Sequence, residues 1–504
     1  MSLFSSRTGQ ARARLVQAGV LAGALVASAL VAGCGAGYRP VVSPINPTGP
    51  AAQPTAFVGV ISSTSPTTPG ILTVVDYSGD TVMATAPIGP GPQSFSLDQT
   101  GSNGYTINSD GTLTNFQVSS SFQAKNIQYT TLPTTARVVN LFSPSTGLWV
   151  ADLSGNAIDV LSGFPATFKL AVPVTSTPVM VIGSGVSGER YYAITQNIAD
   201  STGVACNVAP RAVSALGIAA GIETSNYTVS TGSAGITLGK CPVYAVISPD
   251  ARRVFVLNRG DDTISVIDAQ NNTLDNRCPP PTGCLNQAGQ QYFSHPSLPL
   301  STSAGLVTGI SAIAGPVYAE YNAVTSQLVV ANYDGNTVSV VDVSLDIYGN
   351  DSPTFGTTFT IPVGANPAGV TALFDGSRAY TANQADGTVT EVNLVSHTPV
   401  KTLPVNGHPR TVVSVQNSLQ GKVYVASPDS PYLTIIRTDQ DIIDTSVLVQ
   451  GNVVDVRTSN QNGSSGNAIN VSRKPGFGEP CYLPPTLLTA AAITAAPGLC
   501  STLP

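Results

Sequence analysis

The chain has 504 residues, a formal net charge of −6 and only 10% charged side chains, against about 25% in an ordinary globular protein. Such a mildly acidic, weakly charged chain excludes nonspecific nucleic-acid binding through a basic surface. Gly (48) and Pro (38) are frequent enough for many tight turns but follow no collagen-like period. Abundant Ser, Thr, Val and Asn, with almost no long helical pattern, read as all-β.

Residues 1–33 read as an export signal. Arg7, Arg12 and Arg14 give a basic start, Leu15 to Val31 is apolar and uncharged, and Val31-Ala32-Gly33-Cys34 closes the run. That ending resembles the lipobox of bacterial lipoproteins, which implies cleavage before Cys34 and lipid modification of its thiol. The alternative is an uncleaved anchor, since the apolar run is just long enough to span a bilayer. Gly35 after the cysteine implies sorting to the outer membrane, facing the periplasm or the cell surface. Loss of the three arginines takes the formal net charge from −6 to −9. Residues 34–56 form a Pro/Gly-rich tether.

From residue 57 to residue 458 the chain repeats. We align the copies on the last residue of an apolar strand that precedes a polar turn: Ser62, Asn108, Asp152, Thr195, Asn258, Asn332, Asn383 and Ser427. Successive anchors are 46, 44, 43, 63, 74, 51 and 44 residues apart. A period of about 40–45 residues with four short strands predicts propeller blades. Thr263, Thr337 and Thr388 align in a second register, at the start of the third strand. The longer spacings are insertions. One follows Thr195 and carries Cys206; another, roughly 271–305, carries Cys278, Cys284 and His295.

The stretches "SPDARRVFVLNRGDDTISVIDAQNNTL" (248–274), "LVVANYDGNTVSVVD" (328–342) and "AYTANQADGTVTEVN" (379–393) carry a resemblance to the YVTN β-propeller repeat family, a sister of the WD-type propellers. The match is good over 242–458 and degenerate over 57–240. The anchors count eight blades, and seven, the usual number in the family, is the alternative. The chain enters at "AFVGVIS", a second strand without a first, and ends its repeats at "NVVDVRT", a first strand without followers. The two fragments are therefore expected to complete one blade and shut the ring, removing open sheet edges. Residues 459–470 read as a flexible linker, and 459–504 as a linker and tail with the last two cysteines.

One of the seven cysteines is assigned to lipid. The other six, Cys206, Cys241, Cys278, Cys284, Cys481 and Cys500, suit three disulfides in an exported protein. Six cysteines allow fifteen pairings. Cys278 with Cys284 closes a short loop, Cys481 and Cys500 share the tail, and Cys206 with Cys241 remains. A metal site is not expected, because no CxxC occurs and the chain has three histidines. His295 and His397 read as surface residues, and Trp149 as core.

The Asn anchors and turn Asp residues read as turn chemistry in which side chains bond their own backbone, with Gly335 and Gly387 serving the same turns. In a propeller the second-to-third turns and the blade junctions share one face. That face should hold Lys240, Arg259, Tyr333, Gln384, Asn366, His408 and Arg410 around the central funnel. "GHPR" (407–410) is where His and Arg sit together at a junction. The reading is a binding scaffold with no cofactor and no catalytic set, its partner an envelope protein or a small ligand. GxSxG with partners, HExxH, Walker and dinucleotide motifs are absent. The resemblance also admits a lactonase-like hydrolase using His408 and Arg410 in the funnel. A quinone-cofactor dehydrogenase is disfavoured by the single Trp and the lack of CxxCH.

Overall fold

Each copy of the repeat alternates apolar and polar residues over five to nine positions, and each folds into an antiparallel sheet whose buried faces pack on the neighbouring sheets. The computed structural model describes residues 57–459 except 78, 99, 119–123, 133–137, 145–146, 184–189, 199–203, 233, 301–312 and 416–420, together with the backbone of 471–473. Residues 1–56, expected to be signal and tether, and Cys34, Cys481 and Cys500 lie outside the described residues.

The protein is an eight-bladed β-propeller. We number the blades in chain order. Blade one joins Phe57–Ser63, Pro69–Asp76 and Val82–Pro90 to Asn452–Thr458, which lies innermost. Blades two to eight have their inner strands at Pro92–Leu97, Val138–Phe142, Pro178–Gly183, Pro242–Ile247, Pro316–Asn322, Pro367–Ala372 and Thr411–Val415. Both chain ends thus complete one blade. Val58 pairs with Thr458 and Ser63 with Asn452. Ser459 reinforces the closure: its hydroxyl accepts from the Phe57 N–H and its own N–H donates to the Phe57 carbonyl, each at 2.9 Å.

The core is a set of apolar layers between blades. Val58, Val60, Tyr424, Leu433 and Ile435 fill the layer between blades eight and one. Phe95, Phe116, Leu72 and Ile61 fill that between one and two. Trp149 is buried as expected and meets Tyr191 edge to face at 4.8 Å. The outermost strands are largely exposed, as in Thr398–Pro404.

The asparagine anchors act differently from the expectation. They sit fully buried at strand ends, and their side chains reach across to the third strand instead of bonding their own backbone. Asn332 donates its amide to the hydroxyls of Thr337 (3.0 Å) and Ser339 (2.8 Å). Asn108, Asn258 and Asn383 do the same with Thr112 and Thr114, Thr263 and Ser265, and Thr388 and Thr390. The repeated Thr-x-Ser/Thr is therefore the partner set of the repeated Asn. In the turn after Asn332 the left-handed residue is Asn336, at φ 54°. Gly335 is required for another reason: a Cβ there would collide with the Ile313 carbonyl. Gly387 is itself left-handed, at φ 64°.

A second periodic device escaped the sequence. The first residue of a blade's second strand is basic in blades four, five, seven and eight, at Arg190, Arg253, Arg378 and Lys422. Each reaches the third-to-fourth turn of the following blade. Their partners are the Ala269 carbonyl at 3.0 Å, Asp351 at 3.3 Å, Asp441, and Asp80 at 2.8 Å. These clamps lie on the face opposite the blade junctions, which we call the lower face.

Among the described residues the longer insertions lie in blades four, five and six; in blade six, residues 343–357 separate the third and fourth strands and are pinned by the Leu345–Asp351 bridge. In blade four, Val204–Val208 forms a short helix followed by a 3-10 turn at Pro210–Ala212. In blade five the fourth strand is split. Thr273–Leu274 and Ser297–Pro299 pair with the two ends of Thr263–Asp268, and the loop between them is tied by Cys278–Cys284. One further strand, Val471–Arg473, pairs antiparallel with the inner strand of blade three, on its channel edge.

Candidate binding site on the upper face and in the channel

The residues expected on the funnel face fall into three groups. Arg259, Tyr333, Gln384 and Asn366 belong to one bonded network. Arg259 is buried, and its guanidinium grips Asp334 at 2.7 and 3.2 Å. It also donates to the Asn207 carbonyl at 3.3 Å and lies 5.4 Å over the Tyr333 ring. The Tyr333 hydroxyl reaches Gln384 at 3.4 Å, and Asn366 donates to the Tyr333 carbonyl at 3.1 Å. Arg211, from the blade-four insertion, bridges Asp262 (2.7 Å) and Asp334 (3.2 Å). The Cys206–Cys241 disulfide fastens this insertion to the junction of blades four and five. Arg259 thus helps hold the blade-four insertion as a cap over blades four to six, and Tyr333 and Gln384 are bonded beneath and beside it, where the sequence reading had them facing a partner. Burial works against the Arg211 cation, but its bonds to Asp262 and Asp334 leave its pKa raised overall.

Lys240 is half-buried at the rim of this cap, where its backbone N–H donates to Asp261 at 3.0 Å. His408 is held by Asp429, whose carboxylate accepts from the His408 N–H at 2.7 Å and contacts ring Nδ1 at 2.6 Å. Asp429 was not singled out from the sequence. Its signal was available only as the second-to-third turn of blade eight facing the preceding junction.

Arg410 belongs to the third group. It lines a small cavity in the central channel with Tyr244, Tyr318, Gly369, Thr411 and Arg457, about 20 Å³ in volume. Inner strands of blades five to eight and blade one meet there. Arg410 stands at the upper rim, just before the inner strand of blade eight, and Arg457 lies near the lower end of the blade-one inner strand. Gly369 lets the inner strands of blades seven and eight approach closely; a Cβ there would meet the Arg410 carbonyl at 2.8 Å. The rings of Tyr244 and Tyr318 lie 4.7 Å apart. Arg457 is buried, bonds Asp455 at 3.1 Å and lies over the Phe95 ring. Glu320, deep in the same inner strand as Tyr318, accepts from the Ala372 N–H (2.9 Å) and the Thr371 hydroxyl (3.2 Å), while burial pushes its carboxyl up to about 8.

No family model and no curated protein matches the chain. Solved structures match it in fold. Apo AztD from Citrobacter koseri superposes with a TM-score of 0.53 at 11% identity, over 80% of this chain and 97% of that one. A second structure of AztD from that organism gives 0.52 at 10% identity, over 80% and 97%. A Bacteroides fragilis protein provisionally assigned as a 6-phosphogluconolactonase gives 0.48 at 13% identity, over 81% and 99%. At these identities the likeness concerns the propeller fold alone.

Proposed function

We propose that the protein is a binding propeller of the cell envelope, related to the YVTN repeats, that holds a small ligand in its channel cavity and performs no chemistry on it. The observation that carries this reading is the cavity itself. Five blades supply its wall, and the wall combines aromatic and apolar surface with a few polar groups, the usual makeup of a ligand seat. The capped upper face supports a ligand in the channel over a partner on Arg259 and Tyr333, because those side chains are already bonded to their neighbours. Export and lipidation at Cys34 are part of the proposal. The two disulfides support an oxidising compartment.

The test is binding of a small-molecule panel to the purified full-length chain, read by thermal shift. Thr411→Tyr fills the cavity from a half-buried wall position. Compounds that stabilise the parent chain should fail with the filled variant. Equal stabilisation of both would move the site out of the channel. Fatty-acid labelling that disappears in Cys34→Ser checks the anchor.

A lactonase-like hydrolase is the second reading, favoured by one contact. Asp429 against Nδ1 of His408 orients the ring as carboxylates orient general-base histidines. Lactone hydrolysis lost in His408→Ala would establish it.

A further inference from the structure

The lower turns of blades five to seven carry apolar side chains at their tips. Ile347 is 91% exposed, Val395 76%, Leu285 70% and Val324 56%, and Phe374 and Tyr348 are exposed beside them. Val395, the second residue of its third-to-fourth turn, stands where blades four, five and eight have Ser225, Gln270 and Asp439. Single exposed hydrophobes are ordinary on a surface, whereas a contiguous set marks an interaction site. Three of the tips are fixed by side-chain-to-backbone turns. The Asn322 side chain accepts from the Val324 N–H at 3.0 Å, Asp346 from the Tyr348 N–H at 2.8 Å, and Asn393 from the Val395 N–H at 2.9 Å.

The turns bond to one another, so the six residues form one row. Asn286 bonds Asp346, and His295 meets Asp351 at 2.8 Å, which sets Leu285 beside the Ile347 loop. The Val343 N–H donates to the Ser326 carbonyl at 3.0 Å and ties that loop to the Val324 turn. The Asn322 amide donates to the Leu373 carbonyl at 2.9 Å, joining the Val324 and Phe374 turns. The Leu394 N–H donates to the Ser377 carbonyl at 3.0 Å, joining the Phe374 and Val395 turns. Charges beside the row are engaged: Arg252 with Asp250 at 3.7 Å, Arg277 with Asp268 at 3.2 Å, and Asp375 with the Ser377 hydroxyl at 2.6 Å. No block of one sign is left to attract a charged partner.

What covers the row follows from where the chain enters the ring. Phe57 lies on the lower face, so the segment that leads from Cys34 joins the ring there, at blade one. Twenty-two residues separate Cys34 from Phe57, a reach of at most about 80 Å. A lipid on Cys34 therefore holds the lower face close to a bilayer, and at that local concentration a modest apolar contact is enough to seat it. The entry at blade one and the row at blades five to seven lie across the ring from each other, which gives the face two separate footholds.

From this arrangement we infer that the lower face is a membrane-docking face: the row from Leu285 to Val395 enters the interfacial layer of the bilayer that carries the anchor, and the ring lies flat against it. The inference rests on lipidation at Cys34 and extends that reading from a tether to a docked face.

The experiment uses the purified lipidated chain reconstituted into vesicles of phosphatidylethanolamine and phosphatidylglycerol, three to one, with and without lipid brominated near the headgroup. Ile347→Trp puts a reporter in the row. Thr67→Trp, in the second-to-third turn of blade one, puts it on the upper face, and the native Trp149 is buried and gives a constant background. Brominated lipid should quench the added emission of Ile347→Trp at least twofold and leave that of Thr67→Trp unchanged, at low and high salt alike. Val324→Asp with Val395→Asp, both at exposed tips that spare the blade cores, should remove at least half of the Ile347→Trp quenching. Equal quenching of both reporters, quenching unaffected by the paired aspartates, or quenching abolished by salt each overturns the inference. So does Ile347→Trp emission that is shifted to the blue but unquenched, which means that a second copy covers the row. A chain that floats with the vesicles yet shows no quenching of Ile347→Trp loses the docking face and keeps the anchor; a chain that does not float loses both.

Discussion

Lys422 places its ammonium 2.8 Å from both carboxylate oxygens of Asp80, joining the last blade to the first across 342 residues of sequence. The same nitrogen donates to the Tyr77 carbonyl at 2.8 Å and lies 5.2 Å from the Tyr77 ring centroid. Both charged side chains are almost wholly buried. Removing one partner from such a pair leaves an uncompensated charge, at a cost of about 3–5 kcal/mol.

Lys422→Met should therefore lower the unfolding midpoint sharply, and Lys422→Met with Asp80→Leu should recover much of the loss. Denaturant titration followed by tyrosine fluorescence compares them. A double variant as unstable as the single one would show that packing, and not the stranded Asp80 charge, dominates the site.

The anchor asparagines predict a graded effect. Asn332→Ala strands the hydroxyls of Thr337 and Ser339 in a buried strand end, which should cost about 1–3 kcal/mol. Asn332→Asp should fare no better, because a carboxylate cannot donate to either hydroxyl and is itself buried. Hydrogen exchange localised to 327–342 would show the loss to be confined to blade six.

Several buried acids hold protons more tightly in the folded state than unfolded. Burial raises Glu320 to about 8, raises Asp159 to about 6, and raises Asp275, with Asp351 adding to the last. A raised acid binds more protons folded than unfolded. Its contribution is complete below its unfolded value and disappears as pH rises through its folded value. Stability should therefore decline from about pH 4 to about pH 8 at constant salt. Glu320→Gln, which keeps an acceptor oxygen for the Ala372 N–H, should flatten the upper part of that decline and make the chain relatively more stable at pH 9. A melting temperature that climbs between pH 6 and pH 9 would refute this assignment. Glu223 and Asp439, both lowered by arginine partners, act in the opposite sense and only at strongly acid pH.

The Cys206–Cys241 bond closes a span of 35 residues. Cys206→Ser with Cys241→Ser should cost about 2–4 kcal/mol by the chain-entropy estimate. It should also raise hydrogen exchange over 204–212 while leaving blades one and two protected. Exchange unchanged over 204–212 would mean that Arg211 and Arg259 hold the cap unaided.

The blade count and ring closure were legible because they depend on strand periodicity and turn chemistry, which are local. Even the degenerate copies around Asp152 and Thr195 kept their alternation. The face assignment was legible from topology, but accessibility was not. Arg259 and Tyr333 were placed at the correct turns, yet their partners come from elsewhere in the chain: Asn207 from the blade-four insertion and Asp334 from blade six for Arg259, and Gln384 from blade seven for Tyr333. Arg457 was missed because its strand looked like a structural closure and nothing in "NVVDVRT" reveals that it lines the channel cavity. The basic clamps were hidden for a similar reason. Each arginine or lysine has a constant position, but its acceptor sits in a turn of variable length one blade away.

The closing blade also determines how the ring answers to force. Phe57 and Thr458 lie at the same end of an antiparallel pair, on the lower face. A pull that separates the segment before Phe57 from the segment after Thr458 meets the hydrogen bonds of that pair one at a time, like a zipper. A load between Phe57 and the upper face instead runs along the strands and is shared by the whole ladder. The ring is mechanically soft across its seam and stiff along its axis.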